Sequence, residues 1–160
     1  MWSSAILDEL EHCEIDKYTT RDGLPLAEAE TRSARLIEQL RRFFDDAEVP
    51  NWEPCDGQFD LPDRHDEHVV AAAVAGHAGA IVTDNLKDFP AEKIPHGIQV
   101  VVPREFAANT VAVSPQAALD AVSKMTRRLI DPPMSVDDIL AVLRDRYEMH
   151  EAVALINDAR

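Results

Sequence analysis

The chain has 160 residues, of which 46% are hydrophobic and 29% charged, and a formal net charge of −14 at pH 7. That length and composition describe one globular domain of ordinary size with a core of its own. The acidic excess excludes broad, charge-driven binding to nucleic acid, which needs a basic face; it leaves room for a carboxylate cluster whose bound cations reverse the local field.

No apolar run approaches the length that crosses a bilayer, and the opening MWSSAILDELEHC has no basic stretch ahead of an apolar core. No membrane association or secretion is therefore expected, and the cytoplasm is the default location. Cys13 and Cys55 are isolated, without metal-ligand spacing, and read as free thiols of a reducing compartment rather than a disulfide.

In chain order, Ser3 or Ser4 opens a first helix to about Cys13, with Ile6, Leu7 and Leu10 on its apolar side and Asp8, Glu9 and Glu11 polar. Residues 14–26, with Asp22-Gly23 and Pro25, read as a loop. A second helix is expected from about Leu26 to Asp46, because Ala29, Leu36, Ile37, Leu40, Phe43 and Phe44 recur near helical spacing. Its Arg32, Arg35, Arg41 and Arg42 read either as solvated charges or as phosphate contacts. Pro50 to Gly57 is turn-rich, with Trp52 a packing anchor rather than a base-stacking platform, and a further strand is expected near Phe59.

The stretch LPDRHDEHVVAAAVAGHAGAIVTDNLKDFP, Leu61 to Pro90, carries the chemistry. Asp63 reads as a helix cap, and Asp66 sits in the first turn near the positive end of the dipole. From His68, VVAAAVA is apolar almost all round, the mark of a buried helix. Gly76 and Gly79 stop it, and residues 80–83 form a short buried strand ending in Thr83-Asp84-Asn85, with Asp88 just beyond. Loops after strand ends are where α/β layers bind ligands. Carboxylates from a helix start and a strand end therefore converge on a site for a divalent metal. A zinc reading of His65, Asp66 and His68 is disfavoured, because no second His falls at the four-residue spacing of helix-borne zinc sites.

D-x-H-V-V-A-A-A followed by A-I-V-T-D-N-L-K-D-F-P resembles the C-terminal half of a PIN domain, in the toxin-like, VapC-type branch with the strand-end motif T-x-N-x-x-D-F-P. The resemblance implies an α/β fold, a PIN-like three-layer α/β/α arrangement with a short parallel sheet, and an acidic cluster holding Mg²⁺ or Mn²⁺ that cleaves single-stranded RNA. It implies metal ligation by Asp66 and Asp88, with Glu9, in S-x-x-I-L-D-E-L-E, completing the outer wall. Asn85 would hold a water or carboxylate, and Thr83 would hydrogen-bond within the cluster. Asp84 stands where the subtype often has an aromatic residue, and its role is open.

PIN domains open with a central strand ending in the first metal-binding aspartate, whereas this chain begins at the segment resembling the next helix. The expectations are a start codon further upstream, a truncated relic, or pairing with another chain. The function expected is a toxin–antitoxin endoribonuclease, partnered by single-stranded RNA, a cognate antitoxin and, as PIN proteins often are, a second copy in a homodimer. The alternative is an inactive, truncated PIN protein acting only through antitoxin binding.

Beyond the central stretch, residues 98–102 form the clearest strand, bounded by Gly97 and Pro103. A short helical turn from Pro103 is expected next. Ser114-Pro115 starts a helix to about Ile130, which Asp131-Pro-Pro-Met breaks. Ser135-Val-Asp-Asp138 resembles a capping box opening a helix to about Tyr147, and Met149 to Ala159 reads as one more amphipathic helix. The expected division is a PIN-like domain over 1–112 and a helical extension over 113–160.

Overall fold

The computed structural model describes residues 1–129 and 131–160; the end of the fifth helix expected at Ile130 lies outside them. The fold is α/β and helix-rich, with seven α-helices and a two-stranded parallel sheet among the described residues, consistent with a PIN-like fold. Two compact units divide it: residues 1–81 with 85–100, and residues 82–84 with 101–160.

In the first unit, α1 spans Ser4–Thr20, and the Ser3 side chain accepts the Ile6 N–H at its start. The helix runs through residues 14–20, which the sequence reading assigned to a loop. No Gly or Pro interrupts it before Gly23, Lys17 pairs with Glu14 at 2.7 Å, and the Thr19 and Thr20 hydroxyls donate to carbonyls one turn back. Gly23, at φ 69°, makes the turn that follows.

The next helix, α2, spans Leu26–Phe43 and buries Ala29, Ser33 and Ile37. The Ser33 hydroxyl donates to the Glu11 carbonyl at 3.0 Å, so a small polar side chain ties α2 closely to α1. Phe43 and Phe44 are exposed rather than part of the core, because the helix stops at Phe43 and the backbone turns away. Phe44 meets Trp2 edge-on, with centroids 5.9 Å apart. Trp2 itself forms an isolated parallel bridge to Glu48, donating to the Ala47 carbonyl and accepting from Val49 N–H.

The strand expected near Phe59 is not formed. The Glu67 carboxylate takes the Phe59 and Leu61 N–H groups at 2.8 and 2.7 Å, and so satisfies donors that a strand would have paired. Glu67 opens α3, Glu67–Ala75, which buries Val70 and Ala71–Ala73, as an all-round apolar helix should. Strand β1, Ala80–Val82, pairs with β2, Gln99–Val101: Gln99 N–H donates to Gly79 and Thr83 N–H to Val101, the slanted pattern of a parallel pair. Leu61, Val70, Ala73, Ile81 and Phe89 form the core of this unit.

In the second unit, α4 spans Pro103–Val113, longer than the short turn expected, since Pro103 seats the first turn and no breaker comes before Ser114-Pro115. Helix α5 covers Pro115–Thr126, α6 Val136–Asp145 and α7 His150–Asp158. The capping box at the start of α6 is present in both halves. Val122, Ile139, Leu140, Val153 and Ile156 form a separate core. Among the described residues, no helix is long and apolar enough to cross a membrane.

Candidate functional site

Asp63 accepts the His65 N–H at 2.9 Å and so caps the single 3-10 turn Arg64–Asp66, the capping role read for it. That turn delivers Asp66 to the N-terminus of α3, where its side chain makes no capping bond and is left to face other groups. Asn85 Nδ2 donates to Asp66 Oδ2 at 3.4 Å, joining the helix start to the loop after β1. Asn85 also heads the 3-10 turn Leu86–Asp88, which carries Asp88. The Asp88 side chain is 16% exposed, with Lys87 Nζ 3.6 Å from Oδ2.

Asp66 is the electrostatic centre of this group. Its carboxyl is held above the usual carboxylate range, first by burial and then by the negative charges of Asp63, Asp88 and Glu9, while His68 acts in the opposite direction. A carboxylate penalised by three others is one that a cation would relieve. The donors are hard oxygens, the type that Mg²⁺ and Mn²⁺ take, and in donor chemistry and field they fit such an ion. Among the described residues no three His, Cys, Asp or Glu side chains are already gathered as a preformed cage.

Glu9 reaches toward α3 from α1. Its Oε1 lies 3.1 Å from Nε2 of His68, which is buried at 8% exposure, and the Trp52 ring meets the imidazole edge-on at 6.1 Å. Trp52 is thus a packing residue. The first unit therefore holds Glu9, Asp66, Asn85 and Asp88 of the expected set. Thr83 and Asp84 belong to the second unit, where Thr83 N–H extends the strand pairing to Val101 and Asp84 is exposed. Of the α2 arginines, Arg41 is engaged with Glu48 at 2.9 Å and Arg32 lies over the Tyr18 ring, which leaves those two less suited to phosphate.

Sequence reasoning missed Glu67 and the His68–Glu9 contact. A charged residue directly preceding a run buried on all sides was a signal for Glu67; a contact between residues 59 positions apart leaves none.

The family model described as the VapC50 C-terminal domain matches residues 103–158, which lie within the second unit. A protein of Mycobacterium tuberculosis named "Putative ribonuclease VapC50" is 33% identical over 90 residues, covering 56% of this chain. Both matches support the VapC-type PIN toxin family. The chain spans 53% of the length of that VapC relative. No solved structure matches.

Proposed function

We propose that the chain is a Mg²⁺- or Mn²⁺-dependent endoribonuclease of toxin–antitoxin type that cleaves single-stranded RNA. The observation that carries this reading is Asp66, a partly buried carboxylate raised by its burial and by Asp63, Asp88 and Glu9, with Asn85 donating to it. Asp66 and Asp88 would hold the cation, with Glu9 at the outer wall. When bound, the ion supplies a water of lowered pKa and neutralises charge on the phosphodiester.

The chain's own groups do the remaining work. Asn85 fixes the Asp66 carboxylate in orientation, and the 3-10 turn headed by Asn85 keeps Asp88 on the same loop. Asp63, engaged with the His65 N–H, contributes field rather than ligation. The relative's name, with its ribonuclease, supports the substrate class; an antitoxin partner and a homodimer follow from the same family reading.

The test is cleavage of a mixed single-stranded RNA by the purified chain with Mn²⁺, with EDTA, and with Asp66→Ala beside it. Metal-dependent cutting that disappears in the variant is the expected result. A folded sample that cuts nothing in Mn²⁺ overturns the reading in favour of a protein acting through antitoxin binding alone.

A further inference from the structure

His68 is buried, yet it sends Nε2 to a carboxylate that is itself 61% exposed. A carboxylate only accepts, so the contact at 3.1 Å requires the proton on Nε2. The other ring nitrogen, Nδ1, is buried without a hydrogen-bond partner. A buried imidazole with one nitrogen unsatisfied is costly to keep, and an apolar side chain there would suit the surrounding helix better. The ring's hydrogen bond goes to Glu9, and it also acts electrostatically on Asp66.

An exposed glutamate on a helix samples many rotamers, and ordering it costs side-chain entropy. His68 belongs to α3, the element whose N-terminus bears Asp66, and Trp52 limits the ring from its edge. The imidazole is therefore fixed relative to Asp66, and whatever it binds is fixed with it.

We propose that His68 is a positioning residue, holding the Glu9 carboxylate beside Asp66 so that a divalent cation meets it as a further oxygen donor. The inference rests on the cation-binding reading above and assigns to His68 the task of completing a site that is not a preformed cage. The route proposed for it runs through Glu9, which the double variant separates from packing and from its direct electrostatic effect on Asp66.

The experiment is Mn²⁺ titration by calorimetry, with apo thermal melts alongside, on wild type, His68→Ala, His68→Gln, Glu9→Gln and the double variant Glu9→Gln/His68→Ala. Outer-shell partners of metal ligands are typically worth ten- to a hundredfold in affinity. His68→Ala is expected to weaken Mn²⁺ by about tenfold, and His68→Gln, whose amide N–H reaches a similar position, to recover most of it. In the Glu9→Gln background the His68 substitution is expected to change the affinity no further. A purely structural role would lower the apo Tm and leave the Mn²⁺ affinity of the folded variants unchanged, which overturns the proposal. An equal loss in the Glu9→Gln background also overturns it. If wild type itself takes up no Mn²⁺, the cation-binding reading fails and this inference falls with it.

Discussion

The Glu67 carboxylate accepts the backbone N–H of Leu61 at 2.7 Å, and its second oxygen accepts that of Phe59 at 2.8 Å. A buried acid is thereby satisfied by main chain, and two main-chain donors that lack a strand partner are satisfied by the acid. Glu67→Gln keeps the shape but offers one acceptor oxygen for two donors. It is expected to destabilise the fold by about 1–3 kcal/mol, and Glu67→Ala by more, since it orphans both N–H groups. Urea denaturation measures this. An unchanged midpoint for Glu67→Ala would mean that the 59–61 backbone is satisfied some other way.

Asp66 gives a prediction of opposite sign. Its folded pKa is raised, chiefly by burial and then by Asp63, Asp88 and Glu9. Stability from a group with a raised pKa is present below the unfolded carboxylate value and is lost as pH rises through the folded one. At neutral pH in EDTA, Asp66→Asn should therefore melt above wild type, and the difference should shrink on acidification as Asp66 protonates. On the cation-binding reading proposed above, Mn²⁺ should stabilise wild type and not the variant. Melts across pH, with and without Mn²⁺, check both; a variant less stable at neutral pH contradicts the electrostatic account.

Gly76 and Gly79 both read as helix stops, but the structure separates them. A Cβ at Gly76 would lie 2.8 Å from Val49 Cγ2 and 3.0 Å from the Ala72 carbonyl oxygen, whereas at Gly79 nothing lies within 4 Å. Gly76→Ala should cost about 1–3 kcal/mol through overpacking. Gly79→Ala should be neutral or stabilising by about 0.5 kcal/mol, because alanine restricts the unfolded chain. Parallel denaturant titrations decide it, and equal effects would contradict the close approach.

Local signals were the legible ones. The all-round apolar run after His68, the β-branched stretch near Val101 and the Ser135–Asp138 spacing each state a local preference, and each element formed. The path of α1 past Cys13 was misread because polarity in EIDKYTT resembles a loop; nothing in it breaks a helix, and i,i+3 and hydroxyl-to-carbonyl contacts support one. Asp66 and Asn85 come from two neighbouring motifs of one stretch, and a hydrogen bond joins them in the fold. The partnership of Glu9 with His68 was not legible, since it depends on how α1 and α3 pack, and neither residue's immediate neighbours encode that.

The second unit offers a test independent of the acidic site. Ser135 caps α6 by accepting the Asp138 N–H at 3.1 Å, and Asp138 returns by accepting both the Ser135 N–H and hydroxyl. The Asp138 carboxyl is held below its usual range by those two bonds, the hydroxyl foremost. A depressed pKa contributes stability above the unfolded value, and that contribution is lost as pH falls through the folded one. Ser135→Ala should cost about 1 kcal/mol at neutral pH. Asp138→Asn should be destabilising at neutral pH and close to wild type once both states are protonated at strongly acidic pH. Hydrogen exchange of the α6 amides reads the effect locally, with the first turn losing protection before the Leu140 region. A loss of protection equal at both ends of α6, or one indifferent to pH, would mean that the box does not anchor this helix.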